Sequence, residues 1–381
     1  MKSYKGSYLS CFLMYFFYFA SLAFFSGYIS VYLMDRGFSA VDVSMVVSCS
    51  YIVSMLVQPV VGWCNDRFEM KKLNCMILLG SALLGILFIF MKNIVTVALM
   101  YSLALSLFNA TNPVVEQMAT QSKFAYGKIR IWGTVGYAAA SKVSGLVYTH
   151  IAPSAMYVFF AIGTVLCVLG IYGTSGKAKP KAKNTAGKEG MFDSVFLIYL
   201  VLIVIFYGTT NISSTYFPAM FKDKGMNMDT ISTIVFLLTL SELPIVFFSG
   251  RFMNTLSNKQ LLTAVFALLT VQFSVYAFVQ NQLFLVITAI LTKAVATMSF
   301  IMINLKVVNT IVSPSKVMSG FAVVQMAKSF SSICCQYLAG NVIDSYSYSV
   351  LYMILAVFAV TGLAICFFYK IPSGNDQKLF G

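Results

Sequence analysis

Glu116 and Arg130 are ionisable side chains set in long apolar runs, and with the aromatic residues around them they are the part of the chain best suited to chemistry. The segment reads Asn109-x-x-x-Pro113-x-x-Glu116, then Phe124-x-Tyr126-Gly127-x-x-Arg130-x-Trp132-Gly133-x-x-Gly136-Tyr137. An ionisable group near the middle of a spanning helix costs roughly 2.5–3.5 kcal/mol on insertion scales, so such groups pair with each other or line a pathway. Glu116 closes one apolar span and Arg130 opens the next across a short loop, which predicts that antiparallel neighbours bring the two together. Tyr137 lies two helical turns beyond Arg130, on the same face. Glu242, in a Ser-Glu-Leu-Pro turn, is the other acid set clearly inside a span. A carboxyl in low dielectric binds its proton more tightly and a nearby cation loosens it, so both acids are candidate proton sites.

The elements that must position these groups follow from composition. The 381 residues are 59% hydrophobic and 10% charged, with a mean hydropathy of +0.83, a balance foreign to a water-soluble domain of this length. Twelve apolar stretches near 7–33, 41–63, 72–91, 94–120, 128–150, 153–173, 192–220, 229–250, 260–279, 282–311, 317–342 and 347–370 approach the roughly 20 residues needed to cross a bilayer. Each is expected to be helical, because lipid leaves no other way to satisfy an unbroken span. The first run is longer than a signal-peptide core and lacks a small-residue cleavage site, so it reads as span 1. The net charge of +14 follows topology rather than nucleic-acid binding: most Lys and Arg fall on one side, while the other holds only Arg36, Lys92, Lys222 and Lys224. This pattern places both termini in the cytoplasm. The eight Cys show no ligand spacing and read as small buried residues, with no metal or cofactor implied.

Residues 174–191 form a basic, turn-rich linker between a half at 1–173 and a half at 192–381. An offset of 188 carries Asp35-Arg36-Gly37 onto Asp223-Lys224-Gly225, Ser44 onto Ser232, Gly62 onto Gly250 and Lys71 onto Lys259, the mark of a duplicated six-span unit. Within the first copy, Gly62-x-x-x-Asp66-Arg67-x-x-x-Lys71-Lys72 suits a conformational gate: glycine allows close approach of helix ends, and the charges can lock one face by ion pairs.

These motifs resemble the oligosaccharide:proton symporters, the lactose permease-like family of the major facilitator superfamily. The resemblance implies an all-α polytopic fold of 12 transmembrane helices in two pseudo-symmetric halves. It also implies import of an oligosaccharide or glycoside with a proton by alternating access, in a bacterial inner membrane and as a monomer. Glu116, Arg130, Asn109 and Tyr137 match the substrate-binding positions, Tyr137 standing where the family often has a ring-stacking Trp. Glu242, Lys293 and Lys328 also have counterparts. The chain departs from the family at span 10, where Ala296 and Ser299 occupy the positions of the coupling His and Glu, so coupling would rest on Glu242. A nucleoside or aromatic-acid permease of a neighbouring family, which shares the Tyr-Gly-x-x-Arg-x-Trp-Gly loop, is the alternative.

Enzyme chemistry lacks its parts, with one His at a span end and no phosphate-binding loop. A non-transporting sensor would need a soluble output domain, and only eleven residues follow Lys370. Setting aside Lys306, near an inner span end, four cations lie within spans, Arg130, Lys142, Lys293 and Lys328, against two carboxylates. The tally leaves two cations along the pathway without a fixed partner, which would suit a negatively charged solute, or else lysines that are deprotonated or bonded to backbone carbonyls.

Overall fold

The computed structural model describes residues 4–124, 126–174, 193–312 and 317–373, and these are helical with no strand. Most of the basic linker at 174–191 therefore lies outside the described residues. In chain order the helices are α1 (Tyr8–Ser26), α2 (Ile29–Asp35), α3 (Ala40–Arg67), α4 (Met70–Ile89), α5 (Ile94–Ala110), α6 (Asn112–Thr120), α7 (Tyr126–His150) and α8 (Ala155–Gly173). They continue as α9 (Ser194–Asp223), α10 (Met228–Leu240), α11 (Glu242–Phe247), α12 (Ser249–Met253), α13 (Asn258–Phe278), α14 (Gln282–Ile311), α15 (Val317–Ser345) and α16 (Tyr348–Phe368). Ten stretches among the described residues are long and apolar enough to cross a membrane. The expected spans at 128–150 and 317–342 are also helical, as α7 and α15, but their lysines, glycines and serines make them more polar than the ten.

Three of the expected spans are broken into segments, two of them close to a proline. Span 4 divides at Thr111, because Pro113 has no N–H to donate. At the end of α5 the Phe108 carbonyl accepts from the hydroxyls of Tyr18 at 3.1 Å and Thr111 at 2.7 Å. Span 1 breaks at Gly27 and Tyr28, and span 8 at Ser241, just before Pro244.

The offset of 188 recurs in the backbone. Gly37 and Gly225 both adopt a left-handed conformation, at φ 87° and 84°, just past the ends of α2 and α9. The closing bonds correspond one for one: Gly37 to Met34 and Phe38 to Leu33 in the first copy, Gly225 to Lys222 and Met226 to Phe221 in the second. Such paired bonds satisfy the last carbonyls of a helix and favour glycine at the turn. The helices that follow start at Ala40 and Met228, and the next at Met70 and Asn258, again 188 apart.

Contacts divide the chain into two compact units, Met1–Ala182 with Thr215–Leu240, and Lys183–Ser214 with Ser241–Gly381. In the first, α1 packs on α7 and α8, α3 on α5, and α10 on α7. Ser30 donates to the Thr215 carbonyl and Tyr216 to that of Ala40, which tie the later segment to the early one. A cluster of Phe25, Phe88, Tyr101, Tyr157 and Phe160 fills the interior, and Gly85 leaves room for the Phe160 ring. In the second unit α13 packs on α14 and α16, and Phe206 stacks on Phe300 at 3.5 Å. The outer surface is apolar, with Phe247 and Phe368 82% and 87% exposed, as suits a chain whose solvent is hydrocarbon.

Close packing depends on small residues at defined points. A Cβ on Gly136 would lie 2.3 Å from the Phe16 carbonyl oxygen, and one on Gly170 2.2 Å from the Met14 nitrogen. At Gly62 a Cβ meets nothing within 4 Å, so the close approach expected there is not present. Gly136→Val should therefore cost about 1–3 kcal/mol and lower the melting temperature in detergent. Gly62→Ala should stay within about 0.5 kcal/mol of the parent. Equal melting of the two variants would refute this packing account.

Candidate functional site

The site is built on α1, α6 and α7. Glu116 lies in α6 and accepts two hydrogen bonds: the Tyr15 hydroxyl donates to Oε1 and the Tyr126 hydroxyl to Oε2, each at 2.7 Å. Tyr15, on α1, is fully buried, while Glu116 and Arg130 are half-buried. The Arg130 guanidinium lies 6.0 Å from the Tyr15 ring centre and 5.2 Å from that of Phe19, within range of attraction to a ring face. Glu116 and Arg130 converge on Tyr15 but do not form an ion pair with each other, unlike Lys72–Glu69, Lys142–Asp229 and Lys222–Asp35. Tyr15 lies between them, its hydroxyl on the acid and its ring toward the base.

The other members of the motif position these groups. Gly133 admits the rings of Tyr15 and Phe19, since a Cβ there would lie 2.7 Å and 2.8 Å from them. Trp132 donates its indole N–H to the Tyr8 hydroxyl at 2.7 Å, Tyr8 donates to the Lys128 carbonyl at 3.0 Å, and Phe12 meets Trp132 edge-on. Tyr137 is half-buried two turns further along α7, where its carbonyl accepts from the Ser141 hydroxyl at 2.8 Å. Asn109 is half-buried in the last turn of α5.

The remaining charges correct the tally of unpartnered cations. Lys142 bonds the Asp229 carboxylate and the Thr233 hydroxyl, so it has a fixed acid. Asp229 opens α10, at the edge of its span, where an acid looks solvated from sequence alone. Lys222 likewise bonds Asp35, which also accepts from the Tyr148 hydroxyl. In the second unit Glu242 begins α11, and its charge acts favourably on the Lys293 ammonium of α14. Lys328 of α15 lies over the Tyr207 ring at 4.6 Å. Ala296 and Ser299 are buried on α14.

Of the residues expected to gate the fold, Arg67 stacks on Trp63 at 4.0 Å, and the Asp66 side chain lies outside the described residues. Lys71 does not reach an acid: its ammonium donates to the Thr174 carbonyl at the end of α8. The repeat partner Lys259 does the same at the last turn of α16, donating to the Phe367 carbonyl at 2.7 Å. A cation suits the negative end of a helix. Cysteine burial is also less uniform than expected, since Cys334 is exposed and Cys49, Cys64, Cys75 and Cys335 are only half-buried. Among the described residues no group of three or more His, Cys, Asp or Glu could hold a metal ion.

Comparison with known proteins agrees with this architecture. The chain is 20% identical over 366 residues to the uncharacterized transporter YwbF of Bacillus subtilis, covering 92% of this chain and 90% of that protein. It is 27% identical to the raffinose permease of Escherichia coli over 187 residues, 46% of this chain and 43% of the permease. It is 23% identical to the maltose permease of Geobacillus stearothermophilus over 246 residues, 61% and 62% of the two chains. Among solved structures, a mutant form of the nucleoside transporter NupG superposes with a TM-score of 0.82 at 15% identity, covering 95% of this chain and 99% of that one, a likeness of fold. The profile of the MFS_1 like family matches residues 8–354, and the chain, an integral membrane protein with the major facilitator fold, belongs to that family.

Proposed function

We propose that the chain is a secondary active transporter that imports an oligosaccharide or glycoside together with a proton, by alternating access, across a bacterial inner membrane with both termini cytoplasmic. The observation that carries this reading is the Glu116 carboxylate held by two tyrosine hydroxyls beside the Arg130 guanidinium. A carboxylate that accepts and a planar fork that donates are complementary to the paired hydroxyls of a pyranose. Phe19 and Tyr137, both half-buried, supply ring faces for its C–H side. The permeases for raffinose and maltose among the relatives support the sugar class.

Glu242 serves as the proton site. Its charge and that of Lys293 stabilise each other, so protonating Glu242 releases the lysine and shifts the balance between two conformations. Nucleosides are the second candidate class, because Tyr126-Gly127-x-x-Arg130-x-Trp132-Gly133 is shared with neighbouring permease families and a nucleoside also presents a ribose diol and a ring face.

Glu116→Gln and Arg130→Lys should each lower affinity for the transported sugar at least 100-fold, measured by substrate protection or calorimetry on purified protein. Tyr126→Phe, which frees one carboxylate oxygen, should cost about tenfold. Normal binding by Glu116→Gln would remove the site from this region. For coupling, sugar added to a lightly buffered, de-energised suspension of expressing cells should make the medium alkaline. Glu242→Gln should abolish that signal and uphill accumulation while retaining exchange of labelled for unlabelled sugar. Accumulation at the parental level by this variant would exclude Glu242 from proton coupling.

A further inference from the structure

Lys328 is a span cation that the fold leaves without an acid among the described residues, and unlike Lys306, whose ammonium donates to the Met253 and Leu256 carbonyls, it has no carbonyl beneath it. It is the twelfth residue of α15, about 17 Å along a 29-residue helix at 1.5 Å per residue, and so far from either end. Among the described residues Arg130 shares Tyr15 with Glu116, Lys142 holds Asp229, and Lys293 lies in the field of Glu242. No carboxylate of these residues lies within 4.0 Å of the Lys328 ammonium; it rests on the face of Tyr207. One turn further along both helices Asn211 donates to Ser332, and Ser331 donates to the carbonyl of Val204, one turn before Tyr207, at 2.6 Å. These bonds lock α9 against α15 in the register that sets the ring beneath the lysine. A ring face attracts a cation but leaves its other N–H donors unmet, and a mid-span cation without an acid marks a binding point.

We infer that Lys328, backed by Tyr207, is the docking point for a single carboxylate carried by the transported solute, which makes that solute a sugar acid such as a uronide rather than a neutral sugar. The inference rests on the transport reading above. One lysine neutralises one negative charge, which favours a carboxylate over a phosphate dianion. The ring pre-orients the ammonium, so the acid adds its bond without displacing an existing ion pair.

The test is calorimetric titration of the purified full-length protein with two matched pairs, 4-nitrophenyl β-D-glucuronide against the glucoside, and benzoate against benzamide. Wild-type protein should bind the glucuronide at least tenfold more tightly than the glucoside. Lys328→Arg should keep that preference, and Lys328→Gln, checked for helicity by circular dichroism, should bring the ratio to about one. A preference unchanged in Lys328→Gln, or a wild type that favours the neutral member, overturns the inference and leaves the transport reading standing. Binding of neither glycoside removes the sugar reading instead. The lysine is then judged by benzoate and benzamide on the same two criteria, and wild-type protein that binds neither acid overturns it.

Discussion

Hydrocarbon offers no hydrogen bonds, so a polar atom inside a span must find its partner within the protein. That constraint reaches from the backbone to the site. Where the fourth span breaks ahead of Pro113, the hydroxyls of Tyr18 and Thr111 bond the Phe108 carbonyl at the end of α5. Where Glu116 enters the same span three residues later, Tyr15 and Tyr126 meet its two oxygens. The proline break and the acid are one device: ending α5 at Ala110 starts a short helix, α6, that carries Glu116 toward α1 and α7. The glycines of α7 complete it by letting α1 approach closely enough for Tyr15 to reach.

The two copies of the repeat have kept the same frame and different chemistry. Helix stops, helix starts and the basic residue capping a neighbouring helix coincide at an offset of 188. The side chains placed on that frame diverge, with Glu116 and Arg130 in the first copy and Glu242, Lys293 and Lys328 in the second. Backbone landmarks tolerate little change because each meets a geometric demand, such as the left-handed φ at Gly37 and Gly225. Side chains carried on that frame meet no such backbone demand, which leaves them free to differ between the copies.

This difference also explains what could be read from the sequence. The helices, their approximate limits, the duplication and the convergence of Glu116 with Arg130 were legible, because apolar length, turn residues and a rare charge in a span are local signals. The role of Tyr15 was not. It lies 101 residues from Glu116, in an aromatic run where Phe12, Phe16, Phe17, Tyr18 and Phe19 look alike, and only the packing of α1 on α7 selects it. Asp229 was missed for a similar reason, since an acid at a span edge reads as solvated until Lys142 is seen bonded to it. Gly62 shows the opposite error: a glycine in a gate-like motif suggested close packing, and the space beside it is open.

The chain contains two tryptophans, and their surroundings differ in kind. Trp132 sits two residues past Arg130 with its indole N–H on Tyr8 and its ring against Phe12, whereas Trp63 lies exposed beneath the Arg67 guanidinium. The protein thus carries an intrinsic fluorophore beside its candidate binding cluster and a second at the motif expected to gate it. Emission from each can be isolated by replacing the other with Phe, which allows occupancy and conformational change to be followed separately without an attached label.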